Sequence, residues 1–251
     1  MTAKTIHLKE TDSTNSVAYS LAEDGVAHGT AVVAEYQSLG RGRLGKSWQS
    51  PANQGLYCSF VIRPNLATSD YPLITMSAGL GVALALEETS ALEFSLKWPN
   101  DIYRNGRKCG GILVESSPLT NHHKEHFVVV GVGLNVNNRA NDFPQEIGDK
   151  ATSLYIEGGK VMDKQVVFEV IRGQLLYQLQ RLEGEGFAGI LKQWSEKDML
   201  VGKQLSWVTR LGEVVEGLSL GPDSSGRLHV KDKSGVIHEV LSGDISLSKT
   251  A

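Results

Sequence analysis

Gly40-Arg41-Gly42-Arg43-Leu44-Gly45-Lys46-Ser47-Trp48 follows closely on an apolar, strand-like run from Thr30 to Gln37. Glycines let backbone N–H groups approach an anion, and the cations Arg41, Arg43 and Lys46 in so short a stretch need an anionic partner. A second cluster follows at Lys97-Trp98-Pro99-Asn100-Asp101, then Arg107-Lys108-Cys109-Gly110-Gly111. Read together, the two segments predict a site for a phosphate-bearing ligand, built on loops and turns beside strands.

Gly40-x-x-x-x-Gly45-Lys46-Ser47 also fits the spacing of a phosphate-binding P-loop, which needs a strand before it and a helix after it. The strand is present. Residues 48–55 contain Pro51 and Gly55 and show no helical periodicity, so the helix is missing. The plain alternative is a solvated basic loop. Lys97 to Asp101 can equally be a strand end and a turn. Lys108 is placed better than an ordinary surface lysine, between a hairpin turn and Gly110-Gly111 and beside Asn100-Asp101. Ser13-Thr14-Asn15 on local grounds is a helix cap. His122, His123 and His126 fall in a polar connection with no supporting ligand pattern. Gly131-Val132-Gly133-Leu134-Asn135 lacks the third glycine of a dinucleotide fingerprint and reads as a tightly packed strand.

The chain has 251 residues, enough for a large core and a second small unit. A net charge of −3 argues against a protein that coats nucleic acid, so the cations of the glycine-rich segment are a local feature. Cys58 and Cys109 are far apart with no CxxC pair; a reduced, cytoplasmic setting is the simpler reading, with a single disulfide left open. Residues 1–10 are too polar for a signal peptide. The longest apolar stretch, Ile74 to Leu86, is interrupted by Thr75, Ser77, Gly79 and Gly81, so no membrane span is expected.

Outward from the two clusters, strands are expected at Thr5–Lys9, Thr30–Gln37, Gly55–Arg63, Phe94–Trp98, Ile102–Arg104, Gly110–Glu115 and Phe127–Asn135. Asn105-Gly106 signals a hairpin. A first helix is capped by Asp12 or Ser13 and closed by Gly25, and Asp70 to Thr89 is a long buried helix. Asp163 to Glu183 puts Val167, Ile171, Leu175, Leu179 and Leu182 on one helical face, and Phe187–Met199 is a shorter helix. From Leu200 the texture changes to short apolar runs parted by Leu211-Gly212, Ser225-Gly226 and Ser234-Gly235, which predicts a small β-barrel.

The motifs DSTN (Asp12–Asn15), AEYQ (Ala34–Gln37), GRGRLGKSW, KWPNDIY (Lys97–Tyr103), GRKCGGILVE (Gly106–Glu115), VGVGLNVN (Val130–Asn137), ATSL (Ala151–Leu154) and GDISL (Gly243–Leu247) resemble, in this order, those of the biotin protein ligase family. The resemblance covers nearly the whole chain. It implies an α+β catalytic domain over 1–199, with helices on a mixed sheet of the class II synthetase-like, biotin/lipoate ligase type. An SH3-like β-barrel over 200–251 would follow. Twelve residues precede Ser13, so the chain looks like the ligase-only form without a DNA-binding domain.

The implied chemistry joins biotin to ATP as biotinyl-5′-AMP, then to a lysine of a biotin carboxyl carrier protein of a biotin-dependent carboxylase, with Mg²⁺ arriving with the nucleotide and no DNA partner. By motif position Ser13, Thr14, Asn15, Gln37, Arg41, Gly42, Arg43 and Lys108 would bind biotin, and Arg41, Arg43, Trp48, Asn100 and Asn135 would bind ATP. Lys108, with Arg41 and Arg43, would be catalytic. Asn100 and Asp101 would organise the site or its metal, whose ligands are unassigned, and Cys109 is a small core residue. Lipoate ligases share the logic, but lipoate has no ureido group and would leave Ser13, Thr14, Asn15 and Gln37 unpaired. A non-catalytic sensor is disfavoured by the intact Lys108 and arginines. An edge strand near Val128–Gly133 could pair across a two-fold axis to form a homodimer, or lie covered.

Overall fold

In the computed structural model, residues 2–117, 126–208, 214–240 and 245–247 are described. The connection holding His122 and His123, Leu211-Gly212 and the start of the GDISL motif lie outside them. In chain order the elements are β1 (Thr5–Thr11), α1 (Thr14–Glu23), β2 (Ala31–Gln37), β3 (Gly55–Ile62), α2 (Tyr71–Ser90), β4 (Ser95–Lys97), β5 (Asp101–Arg104), β6 (Arg107–Ser116), β7 (Val128–Asn135), α3 (Leu154–Gly158), α4 (Lys164–Glu185), α5 (Ala188–Glu196), β8 (Gln204–Val208), β9 (Val214–Pro222), β10 (Leu228–Asp232), β11 (Ile237–Val240) and β12 (Ile245–Leu247).

Seven strands form one mixed sheet in the order β1-β2-β3-β7-β6-β5-β4. Only β1 and β2 run parallel; the other neighbours are antiparallel. All eight residues of β3 are buried, because the strand is central and covered on both faces. Alternation along it sorts the faces: Leu56, Cys58, Phe60 and Ile62 join the large core with α2 and α4, whereas Val61 joins Ala18, Ala22, Val32, Phe127 and Val129 beneath α1. Ser59 follows Val61 on the α1 side, so that face turns polar towards one end of the sheet. Asn105 and Gly106 take φ of +49° and +74°, as a tight two-residue hairpin requires.

Helix α2 is apolar on all sides because the sheet and α4 enclose it. A side chain at Gly81 would meet Leu175 and the Gln174 carbonyl at about 3.0 Å, so glycine sets the α2–α4 separation. Residues 68–90, a short 3₁₀ turn and α2, are long and apolar enough to cross a membrane, contrary to the sequence expectation. The helix is largely buried in the protein, and the polar residues that interrupt its apolar run are absorbed there: Ser77 donates to the Leu73 carbonyl.

A second correction concerns Val128–Gly133. Strand β7 is hydrogen-bonded to β3 on one side and β6 on the other, so the edges of the sheet are β1 and β4. Pairing through β7 across a two-fold axis is closed. Cys58 and Cys109 are both buried and free.

The last strands form a five-stranded antiparallel sheet in the order β11-β10-β9-β8-β12. It rests on the first unit. Leu205, Trp207, Leu228, Val230 and Val240 belong to the same apolar core as α2, and Trp98 Nε1 donates to the Gly226 carbonyl over 2.9 Å.

Candidate active site

The glycine-rich segment closes on itself as a small hairpin. Arg41 bridges Ser47, Gly42 N donates to Lys46 O over 2.7 Å, and Trp48 N donates to Gly40 O over 2.8 Å. Its tip turns through Leu44 and Gly45, with φ of +56° and +73°. A left-handed leucine is a strained residue, held here by the bonds on either side of it. The next element is β3, and no helix follows, so a P-loop is ruled out.

The hairpin covers a cavity of about 190 Å³ whose other walls are the start of α1, the β4–β5 turn, β6 and β7. Ser13, Thr14, Asn15, Gln37, Arg41, Gly42, Arg43, Trp48, Asn100 and Lys108 all line it. Ser13 is the N-cap of α1 but makes no side-chain capping bond, so helix capping does not account for its hydroxyl. Thr14 donates through its backbone N–H to Gln37 Oε1 over 2.8 Å, and Gln37 Nε2 donates to Ser50 Oγ over 2.9 Å. Asn15 Nδ2 donates to Glu115 Oε2 over 2.7 Å, and Arg41 pairs with the same oxygen at 2.9 Å. The glycines of β7 are needed for this fit. A Cβ on Gly131 would collide with the Asn15 carboxamide, and one on Gly133 would lie 2.7 Å from the Trp48 indole.

On the opposite wall, Lys108 Nζ lies 2.7 Å from Asp101 Oδ1 and 5.4 Å from the centre of the Trp48 ring. Arg43 donates to Asn100 Oδ1 over 3.1 Å, while Asn100 Nδ2 donates to the Ile112 carbonyl. Lys108 lies within β6 rather than ahead of it, and its backbone is pinned by Lys150 O and Thr152 N. Cys109 points the other way into the core, where burial pushes its thiol up to about 12.

Asn135 is not brought to this cavity. Its side chain is buried, and its Nδ2 donates to the Thr152 carbonyl over 2.9 Å, which ties the end of β7 to the segment after residue 150. Ser59, Glu115 and Ser50 do not line the cavity but hold the residues that do, and the sequence reading did not single them out. Glu115 closes the GRKCGGILVE motif, and that was the signal available for it.

The fold and the cavity define a ligase of the biotin/lipoate class. The Biotin/lipoate A/B protein ligase family pattern matches residues 8–135, and the Biotin protein ligase C terminal domain matches residues 208–248. The bifunctional ligase/repressor BirA of Bacillus subtilis is 34% identical, over 94% of this chain and 71% of that protein. The biotin–[acetyl-CoA-carboxylase] ligase of Paracoccus denitrificans is 31% identical, over 91% of this chain and 94% of its own. A solved structure of the Aquifex aeolicus biotin protein ligase, in complex with biotin and ATP, superposes with a TM-score of 0.82 at 35% identity, covering 98% of this chain and 99% of that one. The chain belongs to the biotin protein ligase family, and its activity is that of a biotin protein ligase.

Proposed function

We propose that the cavity holds biotin with its ureido group among Ser13, Thr14, Asn15 and Gln37 and its carboxylate towards Lys108, while ATP lies against Arg41, Arg43, Trp48 and Asn100. The observation that carries this reading is the convergence, in one cavity, of a polar, hydrogen-bonding end and a cationic end. A carboxylate oxygen of biotin attacks the α-phosphorus of ATP, the bond to the bridging oxygen breaks, and pyrophosphate leaves. The ε-amine of an acceptor lysine then attacks the acyl carbon of biotinyl-5′-AMP, the bond to AMP breaks, and an amide remains.

Two anions must meet in the first step. Lys108 and Arg43, fixed by Asp101 and Asn100, present positive charge where negative charge accumulates, without having to reorganise. Mg²⁺ would come bound to the nucleotide phosphates and keep most of its ligands there, and among the described residues no three His, Cys, Asp or Glu side chains converge. Asn135 would offer adenine its second N–H or its carbonyl oxygen, with the first N–H staying on Thr152. The acceptor would be a biotin carboxyl carrier protein of a cytoplasmic carboxylase, with residues 1–199 as the catalytic domain and 200–251 as the small one.

The test is biotin-dependent ATP–pyrophosphate exchange by Lys108→Ala. Losing a cation aimed at transition-state charge should lower the rate by about 10²–10³. Near-normal exchange by a folded Lys108→Ala protein would remove Lys108 from the mechanism.

A further inference from the structure

Ser59 lies on β3, fully buried and not among the residues that line the cavity. We propose that Ser59 is a positioning residue: it fixes Thr14 and Asn15 as hydrogen-bond acceptors towards the cavity, and thereby sets the preference for a ligand edge carrying two N–H donors. This rests on the placement of the biotin ureido group given above.

Counting protons leads to it. Asn15 Nδ2 faces Glu115 Oε2 at 2.7 Å and the Leu113 carbonyl at 3.4 Å, both acceptors, so the carboxamide is oriented with Oδ1 towards β3. Ser59 Oγ is 2.6 Å from Asn15 Oδ1 and 2.7 Å from Thr14 Oγ1. A carbonyl oxygen cannot donate, so the single Ser59 proton goes to Asn15, and the other contact takes the proton of Thr14. Gln37 Oε1, 3.1 Å from Thr14 Oγ1, has a second lone pair beside the one taken by the Thr14 backbone N–H, but a Thr14 proton placed there would leave the shorter 2.7 Å contact between Ser59 and Thr14 with none.

Thr14 Oγ1 thus keeps its lone pairs, and Asn15 Oδ1 keeps one, for a ligand. A cyclic urea presents two N–H groups that match them; a dithiolane presents none. Val61, the neighbour of Ser59 on the same strand face, packs beneath α1, where a hydroxyl would have no such partners. A hydroxyl at the Ser59 position is therefore a choice of chemistry, since a small apolar residue would also fill the space.

The experiment compares Ser59→Ala, Ser59→Cys and Thr14→Val in pyrophosphate exchange. Biotin is run beside a lactam analogue in which one ureido N–H is replaced by CH₂. Without Ser59 the Thr14 hydroxyl is free to turn, so Ser59→Ala should raise the biotin KM about tenfold and shrink the biotin-to-lactam discrimination by a similar factor. Its kcat and its KM for ATP should stay within about twofold, and Ser59→Cys, with a weak S–H donor, should fall between. If Thr14→Val raises the biotin KM while Ser59→Ala keeps wild-type KM and discrimination, the positioning role is wrong and the biotin placement survives. If Thr14→Val is silent as well, the placement fails and the proposal goes with it. A joint decline of kcat and both KM values in Ser59→Ala would mean general structural damage and would also overturn it.

Discussion

Arg41, Arg43 and Lys108 each reach the cavity already bonded to a protein group, namely Glu115, Asn100 and Asp101. Lys46 lies on the exposed rim of the same hairpin. Arg41→Ala should therefore lower kcat/KM for adenylate formation by about 10²-fold, while Lys46→Ala should raise the KM for ATP only a few-fold, as for an exposed charge worth about 1 kcal/mol or less. Steady-state kinetics at varied ATP separates the two; equal losses would place Lys46 on the reacting phosphates. The cations were legible in the sequence because each cluster is contiguous, whereas Ser13-Thr14-Asn15 reads locally as a helix cap and only the family resemblance marks it as part of a site. The partners of these residues were not legible. Asn15 meets Ser59 across 44 positions and Arg41 meets Glu115 across 74. Such contacts follow from sheet register, which no local pattern reveals. The burial of Asn135 escaped for the same reason, since its partner Thr152 belongs to a segment without periodicity.

Among the elements, the glycine-rich hairpin has a strained resting state. Leu44 is left-handed, and Trp48 places its indole on the Gly133 backbone with its Nε1 donor buried and unpartnered by protein. An unpaired buried donor costs about 1–3 kcal/mol, so a ligand that draws the indole onto adenine relieves part of that cost. Addition of biotin and ATP should shift the Trp48 emission, read against a Trp48→Phe control, and should slow tryptic cleavage after Arg41 and Arg43. Unchanged emission and cleavage would mean that the hairpin does not respond to ligand. Helix α2 offers a separate test: Gly81→Val should push α4 away and cost about 1–3 kcal/mol in urea denaturation, because neither backbone can yield. Long elements with a clear period, such as α4 with its capping Asp163, were readable from sequence. Helix α3, five residues in a polar connection, was not, because one turn carries no repeat.

At the scale of the whole molecule, the junction between the two sheets is marked by Asp198. It bridges Leu96 of β4, its Oδ1 accepts from Leu200 N, and its Oδ2 is buried without a partner. Burial raises this carboxyl from 3.8 to about 6. Between those values the unfolded chain has released the proton and the folded one has kept it, so its stabilising contribution is present below about pH 4 and lost as pH rises through about 6. The full swing is on the order of 3 kcal/mol. Asp198→Asn should accordingly gain stability over the natural chain at pH 8 and lose that advantage near pH 4, as read from urea midpoints; a pH-independent difference would contradict the assignment. The central strand pair has a consequence of another kind, in time rather than energy. Strand β3 is apolar along its length, yet its partner β7 is made only after α2 and the β4–β6 meander have been synthesised. On the ribosome, Phe60 and Ile62 must wait with an unpaired strand edge until Val128 to Val130 emerge, and closing so long a loop is slow. Synthesis therefore passes through a stage with an apolar strand edge uncovered, and it is at such a stage that aggregation competes with folding.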